Sequence, residues 1–174
     1  VNRQMLSGLP LPHRRASSLA ALAPEINESG CDVISEVPDD VPTARGNATA
    51  LTHCVRNLVS NAVKYGTKSP RRNSIGVVVF HNEQKREVCI AIMDQGRGIN
   101  PADAPYIFEA FYRGRDTTLG IRGAGLGLYL VKQLIEAMGG RITIATLPGF
   151  GSTFTLHVPV FVQEHQSGTT HLHR

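Results

Sequence analysis

The chain has no tryptophan, 6% aromatic residues and three cysteines among 174 residues. Cys31, Cys54 and Cys89 are too few and too scattered for a disulfide scaffold or a zinc site, and are expected to be reduced, mostly buried thiols of a cytoplasmic protein. No apolar run approaches the ~20 residues of a membrane span, and no secretory signal precedes the first patterned segment. There is no acidic excess: Lys and Arg total 18 against 14 Asp and Glu. The resulting pI of about 9.2 admits a nucleic-acid partner in principle. The basic residues form no single run, however. Arg71-Arg72 with Lys68 read as a turn, Arg113, Arg115 and Arg122 fall in a glycine-rich loop, and no aromatics are interleaved as in an RNA-binding sheet. Neither nucleic acid nor a membrane surface is an expected partner. No internal repeat is present.

The length and an ordinary 41% hydrophobic fraction suit one domain with a real core. The chain opens on Val1 rather than Met, as expected of a piece of something longer. Residues 1–16, with Pro10 and Pro12, read as a linker from an upstream region, 17–162 as the domain, and 163–174 as a flexible polar tail. Within the domain a helix is expected over Ser17–Asn27, then short strands near Asp32–Glu36 and Pro42–Arg45. The helix over Ala48–Tyr65 carries a core stripe of Leu51, Val55, Leu58 and Ala62, with Asn57, Asn61 and Lys64 beside it. Ile75–Phe80 and Glu87–Asp94 form a strand pair. In the second strand Val88, Ile90, Ile92 and Asp94 share a face, so a carboxylate ends the strand in phase with buried aliphatics and needs a specific partner. Helical turns over Pro101–Phe111 lead to a loop and then a helix near Leu126–Met138, with Leu130, Leu134 and Met138 facing the core and Gly139-Gly140 ending it. Strands over Arg141–Thr146 and Gly151–Pro159 close the domain as a hairpin.

Four segments recur on this framework in fixed order: Asn57-Leu58-x-x-Asn61-Ala62-x-Lys64-Tyr65, Asp94-x-Gly96-x-Gly98-Ile99, Gly123-x-Gly125-x-Gly127-Leu128 and Gly149-x-Gly151-x-Thr153-Phe154. Each alone is weak. Together, over about a hundred residues, they supply an amide for a metal, a carboxylate for a base edge and glycines for phosphates, which is what a Mg-nucleotide site requires. The third segment is not a dinucleotide fingerprint, because its glycines alternate and a long loop, not a strand, precedes it. A glycine-rich backbone entering a helix N-terminus still makes a phosphate cradle.

The set resembles the ATP-binding domain shared by sensor histidine kinases, DNA gyrase, mismatch-repair ATPases and a heat-shock chaperone, in which the four segments are the N, G1, G2 and G3 boxes. Histidine kinases fit best, because Phe108-x-x-Phe111-Tyr112-Arg113 looks like their F box. The resemblance covers about Leu19 to Pro159 and implies an α+β, two-layer sandwich: a mixed sheet with helices on one face. It implies that Asn61 ligates Mg2+, that Lys64 lies near the phosphates and that Tyr65 rests against the nucleotide. Asp94 would accept from the adenine amine, which suits ATP and opposes the carbonyl of guanine. Gly96, Gly98 and Ile99 would approach the base. Arg122, Gly123, Gly125, Leu126, Gly127 and Leu128 would cradle phosphates, and Thr153 would support the Asp94 end. Each has a plainer alternative: an Asn bridging within its helix, a solvated Lys, a half-buried Tyr, a salt-bridged turn Asp, a flexible glycine hinge or an ordinary strand threonine.

Asn57 separates branches of the family. Gyrase-like and chaperone-like ATPases resemble one another in carrying a water-activating Glu one turn before the metal-binding Asn, and an amide cannot take that proton. Asn57, Asn61 and Lys64 thus look like the catalytic set of a kinase that donates the γ-phosphate of ATP to a histidine on a separate dimerisation domain. Its downstream partner would be a response-regulator receiver domain, and the full-length protein would be a homodimer, either cytoplasmic or a membrane-bound sensor of which this domain is the cytoplasmic part. An anti-sigma-type serine kinase and a binding-only ATP sensor are the alternatives. The loop Arg113–Ala124 is expected to close over phosphates.

Overall fold

The computed structural model describes residues 32–66, 74–114 and 124–162. The linker, the helix expected over Ser17–Asn27, the basic turn at Lys68–Arg72 and the tail lie outside the described residues. The elements in chain order are β1 (Asp32–Glu36), α1 (Ala48–Gly66), β2 (Ser74–Asn82), β3 (Glu87–Asp94), α2 (Gly127–Ala137), β4 (Arg141–Leu147) and β5 (Gly151–Pro159).

The strands form one five-stranded sheet in the order β1-β2-β3-β5-β4. β1 runs parallel to β2, and every other pairing is antiparallel. α1 and α2 pack on each other and on one face of this mixed sheet. This is the α+β two-layer arrangement expected from the sequence. Alternation along the strands decides which residues meet the helices. Ile75 and Val77 of β2, Ile90 and Ile92 of β3, and Phe154, Leu156 and Val158 of β5 join Cys54, Val55, Leu58, Val59 and Ala62 of α1 and Val131 and Ile135 of α2 in one buried cluster.

Local chemistry fixes the helix ends. Asn47 caps α1, its Oδ1 accepting from Ala50 N at 3.0 Å, which satisfies an otherwise unpaired first-turn donor. α2 ends where Gly139 turns to φ 74 and Gly140 N returns to Ile135 O at 2.9 Å, a glycine-dependent stop.

Two expectations need correction. The segment Pro42–Arg45 is no strand: it contributes one isolated bridge, Ala44 to Val160. Pro42 has no N–H to donate, and the chain leaves the extended region at Gly46, φ 138. In α2 the buried phase is Val131 and Ile135, each fully buried, whereas Leu130 is 47% exposed. Leu134 and Met138 pack only at the cluster's edge.

Candidate functional site

β3 delivers Asp94 to the sheet end beside the C-terminus of α1. Its Oδ1 accepts from Gly96 N at 2.9 Å. Burial raises its pKa above the usual carboxylate value, opposed by backbone hydrogen bonds from Gly96 and Ser152. The carboxylate is therefore poised to gain from a further donor. Gly96 is required by close approach: a Cβ there would lie 2.4 Å from Tyr65 O and 2.8 Å from Gly66 Cα. The first two glycine-bearing segments are thus interlocked, the end of α1 resting on the Gly96 backbone.

The β4–β5 hairpin forms the other wall. Ile99 N donates to Thr146 Oγ1 at 2.9 Å, and Thr146 Oγ1 lies 3.0 Å from Ser152 Oγ. Gly149 N donates to Arg97 O at 2.7 Å. A concavity of about 320 Å³ opens here, lined by Asp94, Thr146, Phe150, Ser152 and Thr153 among others. Asp94 pairs with Ser152, and Met93 with Thr153. Thr153 therefore lines the rim but points to the opposite sheet face from Asp94. Ser152, buried at 6% exposure, is the hydroxyl beside the carboxylate. Ser152 and Thr146 were not singled out from the sequence. The signal was present, since Ser152 is in two-residue phase with Phe154, Leu156 and Val158.

The opposite end of the site lies about eight residues back along α1, some 12 Å by helix rise. Asn57 Nδ2 donates to His53 O at 3.0 Å, and a Cβ on Gly127 would stand 3.3 Å from Asn57 Oδ1. Asn57 thus faces the N-terminus of α2, whose N-cap Leu126 offers no side-chain hydrogen bond. Its first-turn N–H groups suit an anion. A second concavity of about 240 Å³ is lined by His53, Arg56, Asn57 and Ser60. Between the two ends Asn61 is half-buried and Lys64 exposed. The Tyr65 ring is 39% exposed and carries the Arg97 guanidinium 5.5 Å from its centroid, a cation–π contact.

The aromatic segment Phe108–Arg113 is held against this end. Phe111 N donates to Gly125 O at 3.0 Å. Gly125 has φ 70, and a Cβ there would lie 2.8 Å from Tyr112 O, so that position requires glycine. Tyr112 Oη donates to the buried Asp103 at 2.7 Å, and Phe108 packs edge-on to Phe154 with centroids 6.5 Å apart. Leu128 packs at the edge of the core. Arg122, Gly123 and most of the loop Arg113–Ala124 lie outside the described residues. The structure thus brings Asp94, Gly96, Gly98 and Ile99 to the C-terminal end of α1, and Gly125, Leu126 and Gly127 to Asn57 midway along that helix.

Residues 46–161 match the family described as histidine kinase-, DNA gyrase B-, and HSP90-like ATPase. The sensor histidine kinase YcbM of Bacillus subtilis is 32% identical over 132 residues, covering 75% of this chain and 41% of that protein. The sensor-like histidine kinase SenX3 of Mycobacterium tuberculosis is 36% identical over 132 residues, covering 74% of this chain and 31% of that protein. The chain thus spans less than half the length of either relative. Full-length ShkA, crystallised in complex with AMPPNP, superposes with a TM-score of 0.72 at 25% identity, over 91% of this chain and 32% of that one. The nucleotide-free catalytic domain of the histidine kinase ThkA gives a TM-score of 0.69 at 19% identity, over 85% and 92% of the two chains, and shows the fold alone.

Proposed function

Because this chain belongs to the histidine kinase-, DNA gyrase B-, and HSP90-like ATPase family, we propose that it is the ATP-binding catalytic domain of a two-component sensor histidine kinase. The observation that carries this reading is the desolvated Asp94, held by Gly96 and Ser152 at the C-terminal end of α1, with the uncapped N-terminus of α2 against Asn57 midway along that helix. Adenine would donate its amine to Asp94, with Thr146 and Ser152 completing a polar edge. The polyphosphate would run along α1 to the α2 N-terminus. Its Mg2+ would take the Asn61 amide oxygen, a hard neutral ligand that suits an ion keeping several waters. Lys64, exposed on the next turn, supplies mobile positive charge for the phosphates. With Tyr65 engaged by Arg97, the pair lies beside the base as one flat, cationic surface.

These residues act by positioning the γ-phosphate and neutralising its charge, the main task of a phosphoryl-transfer site. Asn57, hydrogen-bonded to its own helix, has no proton-accepting group to activate water. That favours transfer over hydrolysis. The acceptor is a histidine on a separate dimerisation domain, and the phosphoryl group passes on to a receiver domain. The relatives favour this branch over an anti-sigma-type serine kinase, since both are sensor histidine kinases. We assign 17–162 to the domain, between a linker 1–16 and a tail 163–174. The pairing of β5 through Pro159 and the family match ending at residue 161 support its C-terminal limit. No described helix is long and apolar enough to cross a membrane.

Calorimetry of the isolated chain tests the site. Mg-ATP binds, and Asn61→Ala loses the part of the affinity that depends on Mg2+ while retaining metal-free nucleotide binding. An Asn61→Ala protein with unchanged Mg2+ dependence refutes the metal assignment.

A further inference from the structure

On the sheet face opposite the helices, side chains from three strands converge. Cys89 of β3 pairs with His157 of β5, which pairs with Arg141 of β4, and Glu87 lies two residues from Cys89 on the same face. His157 Nδ1 is 3.4 Å from Cys89 Sγ and 3.4 Å from Glu87 Oε2. The three ligand-type atoms all lie within 4.8 Å of one another. A tetrahedral zinc site with bonds of about 2.0–2.3 Å separates its ligand atoms by roughly 3.3–3.7 Å.

The hydrogen bonds fix which atoms carry lone pairs. Arg141 Nη2 approaches His157 Nδ1 at 3.2 Å, and a guanidinium only donates. Nδ1 is therefore an acceptor, and the ring N–H sits on Nε2, 2.8 Å from Thr143 Oγ1. Metal-bound histidines are oriented in the same way, by an outer partner on the far nitrogen. Nδ1 then faces Glu87 Oε2 lone pair to lone pair, with no proton between them. Glu87 Oε2 is correspondingly left buried with no hydrogen-bond partner, while Arg141 engages Oε1. A cation among these three groups removes the orphan.

We propose that Glu87, Cys89 and His157 form a zinc-class divalent metal site, clipping β3 to β5, with Thr143 orienting His157 and a fourth position open to water. Cys89 binds as thiolate, its proton passing to solvent as the metal enters. Arg141, with its side chain 40% exposed against 14% for Glu87, surrenders its contact to Nδ1 and keeps the one to Glu87. Cysteine spacing alone argues against a zinc site, but His157 is about seventy residues from Glu87 and Cys89 in sequence, and only sheet pairing brings it to them. This site is independent of the nucleotide reading.

Co2+ titration of the chelator-treated 174-residue chain tests it. One equivalent gives a near-ultraviolet thiolate-to-cobalt band with tetrahedral visible bands, and Zn2+ displaces it. Cys89→Ser abolishes the band, whereas Cys54→Ser and Cys31→Ser keep it; the tail histidines cannot produce a thiolate band at all. Thr143→Val weakens binding roughly tenfold, and Arg141→Gln strengthens it by removing a competing cation. A parent-like circular dichroism spectrum and a cooperative thermal transition show that each variant folds. Should Cys89→Ser not fold, the opposite responses of Thr143→Val and Arg141→Gln decide. Absence of the band in the parent overturns the proposal, as does its survival in Cys89→Ser or failure of those two variants to shift affinity.

Discussion

Burial raises the Asp94 pKa, and the N–H groups of Gly96 and Ser152 offset that rise only in part. A carboxyl with its folded pKa above its unfolded value stabilises the fold fully below the unfolded pKa, and loses that contribution as pH rises through the folded value. At neutral pH the ionised Asp94 is therefore a cost to the empty domain, recovered only when a donor arrives. Asp94→Asn should leave the nucleotide-free protein at least as stable at neutral pH, measured by thermal unfolding. The same variant should weaken Mg-ATP binding by roughly ten- to a hundredfold, because the new amide opposes the adenine amine across a hydrogen bond worth about 1.5–3 kcal/mol. A destabilised variant with intact binding would show that Asp94 is a structural turn residue. In the parent, affinity should fall as pH drops through the raised pKa, since a protonated carboxyl presents a donor where an acceptor is required. Calorimetry across acid pH, with Asp94→Asn insensitive over the same range, checks the sign. The position of Asp94 was legible in the sequence because β3 alternates cleanly. Its partner was not, because locating Ser152 required the cross-strand register of β5 as well as the motif that drew attention to Thr153.

Each element's legibility depended on how singly its apolar residues were phased. α1 presents one stripe, Leu51, Val55, Leu58 and Ala62, of which the last three are buried and Leu51 packs partly exposed against the core. α2 carries Leu126, Leu128, Leu130, Val131, Leu134 and Ile135, which support two helical phases. Only contact with α1 and β4 selects Val131 and Ile135. The described residues 95–114 between β3 and α2 lack a period, and they are held by particular bonds: Asp103 N to Asn100 O at 2.8 Å, Phe111 N to Gly125 O, and Tyr112 Oη to Asp103. Asp103 is only 9% exposed, so removing its donor leaves a buried carboxylate underpaired. Tyr112→Phe should cost about 1.5–3 kcal/mol in denaturant unfolding, the range for a hydrogen bond to a charged group. It should also loosen the Gly125 segment at the phosphate end, read as faster amide exchange at Phe111 and Gly125. A change within about 0.5 kcal/mol with unaltered exchange would mean that the Phe108–Phe154 ring contact, and not this hydroxyl, anchors the segment.

At the scale of the whole molecule the consequence lies in what the chain does not bring with it. A histidine kinase's acceptor sits on a helix and is followed by an acidic and then a basic residue, and none of the seven histidines has that setting. His53 lies in α1 and precedes Cys54, His81 lies in β2 and precedes Asn82, and His157 is committed to Thr143, Cys89 and Arg141 within β5. His13 is followed by Arg14-Arg15, outside the described residues. On the proposed function the site would position a γ-phosphate with no acceptor among these histidines, and Asn57 would offer water no base. The isolated chain should bind Mg-ATP, hydrolyse it slowly and fail to label itself from γ-labelled ATP. Supplying a histidine-bearing helical dimerisation domain in trans should yield acid-labile, base-stable phosphohistidine on that domain, since it provides the nucleophile. Asn61→Ala should abolish that transfer, because metal-assisted positioning of the transferred group is lost. Acid-labile labelling of the chain alone would place the acceptor within these 174 residues. Rapid turnover without any acceptor would instead return the chain to the hydrolytic branch of its family, with some group other than Asn57 activating water.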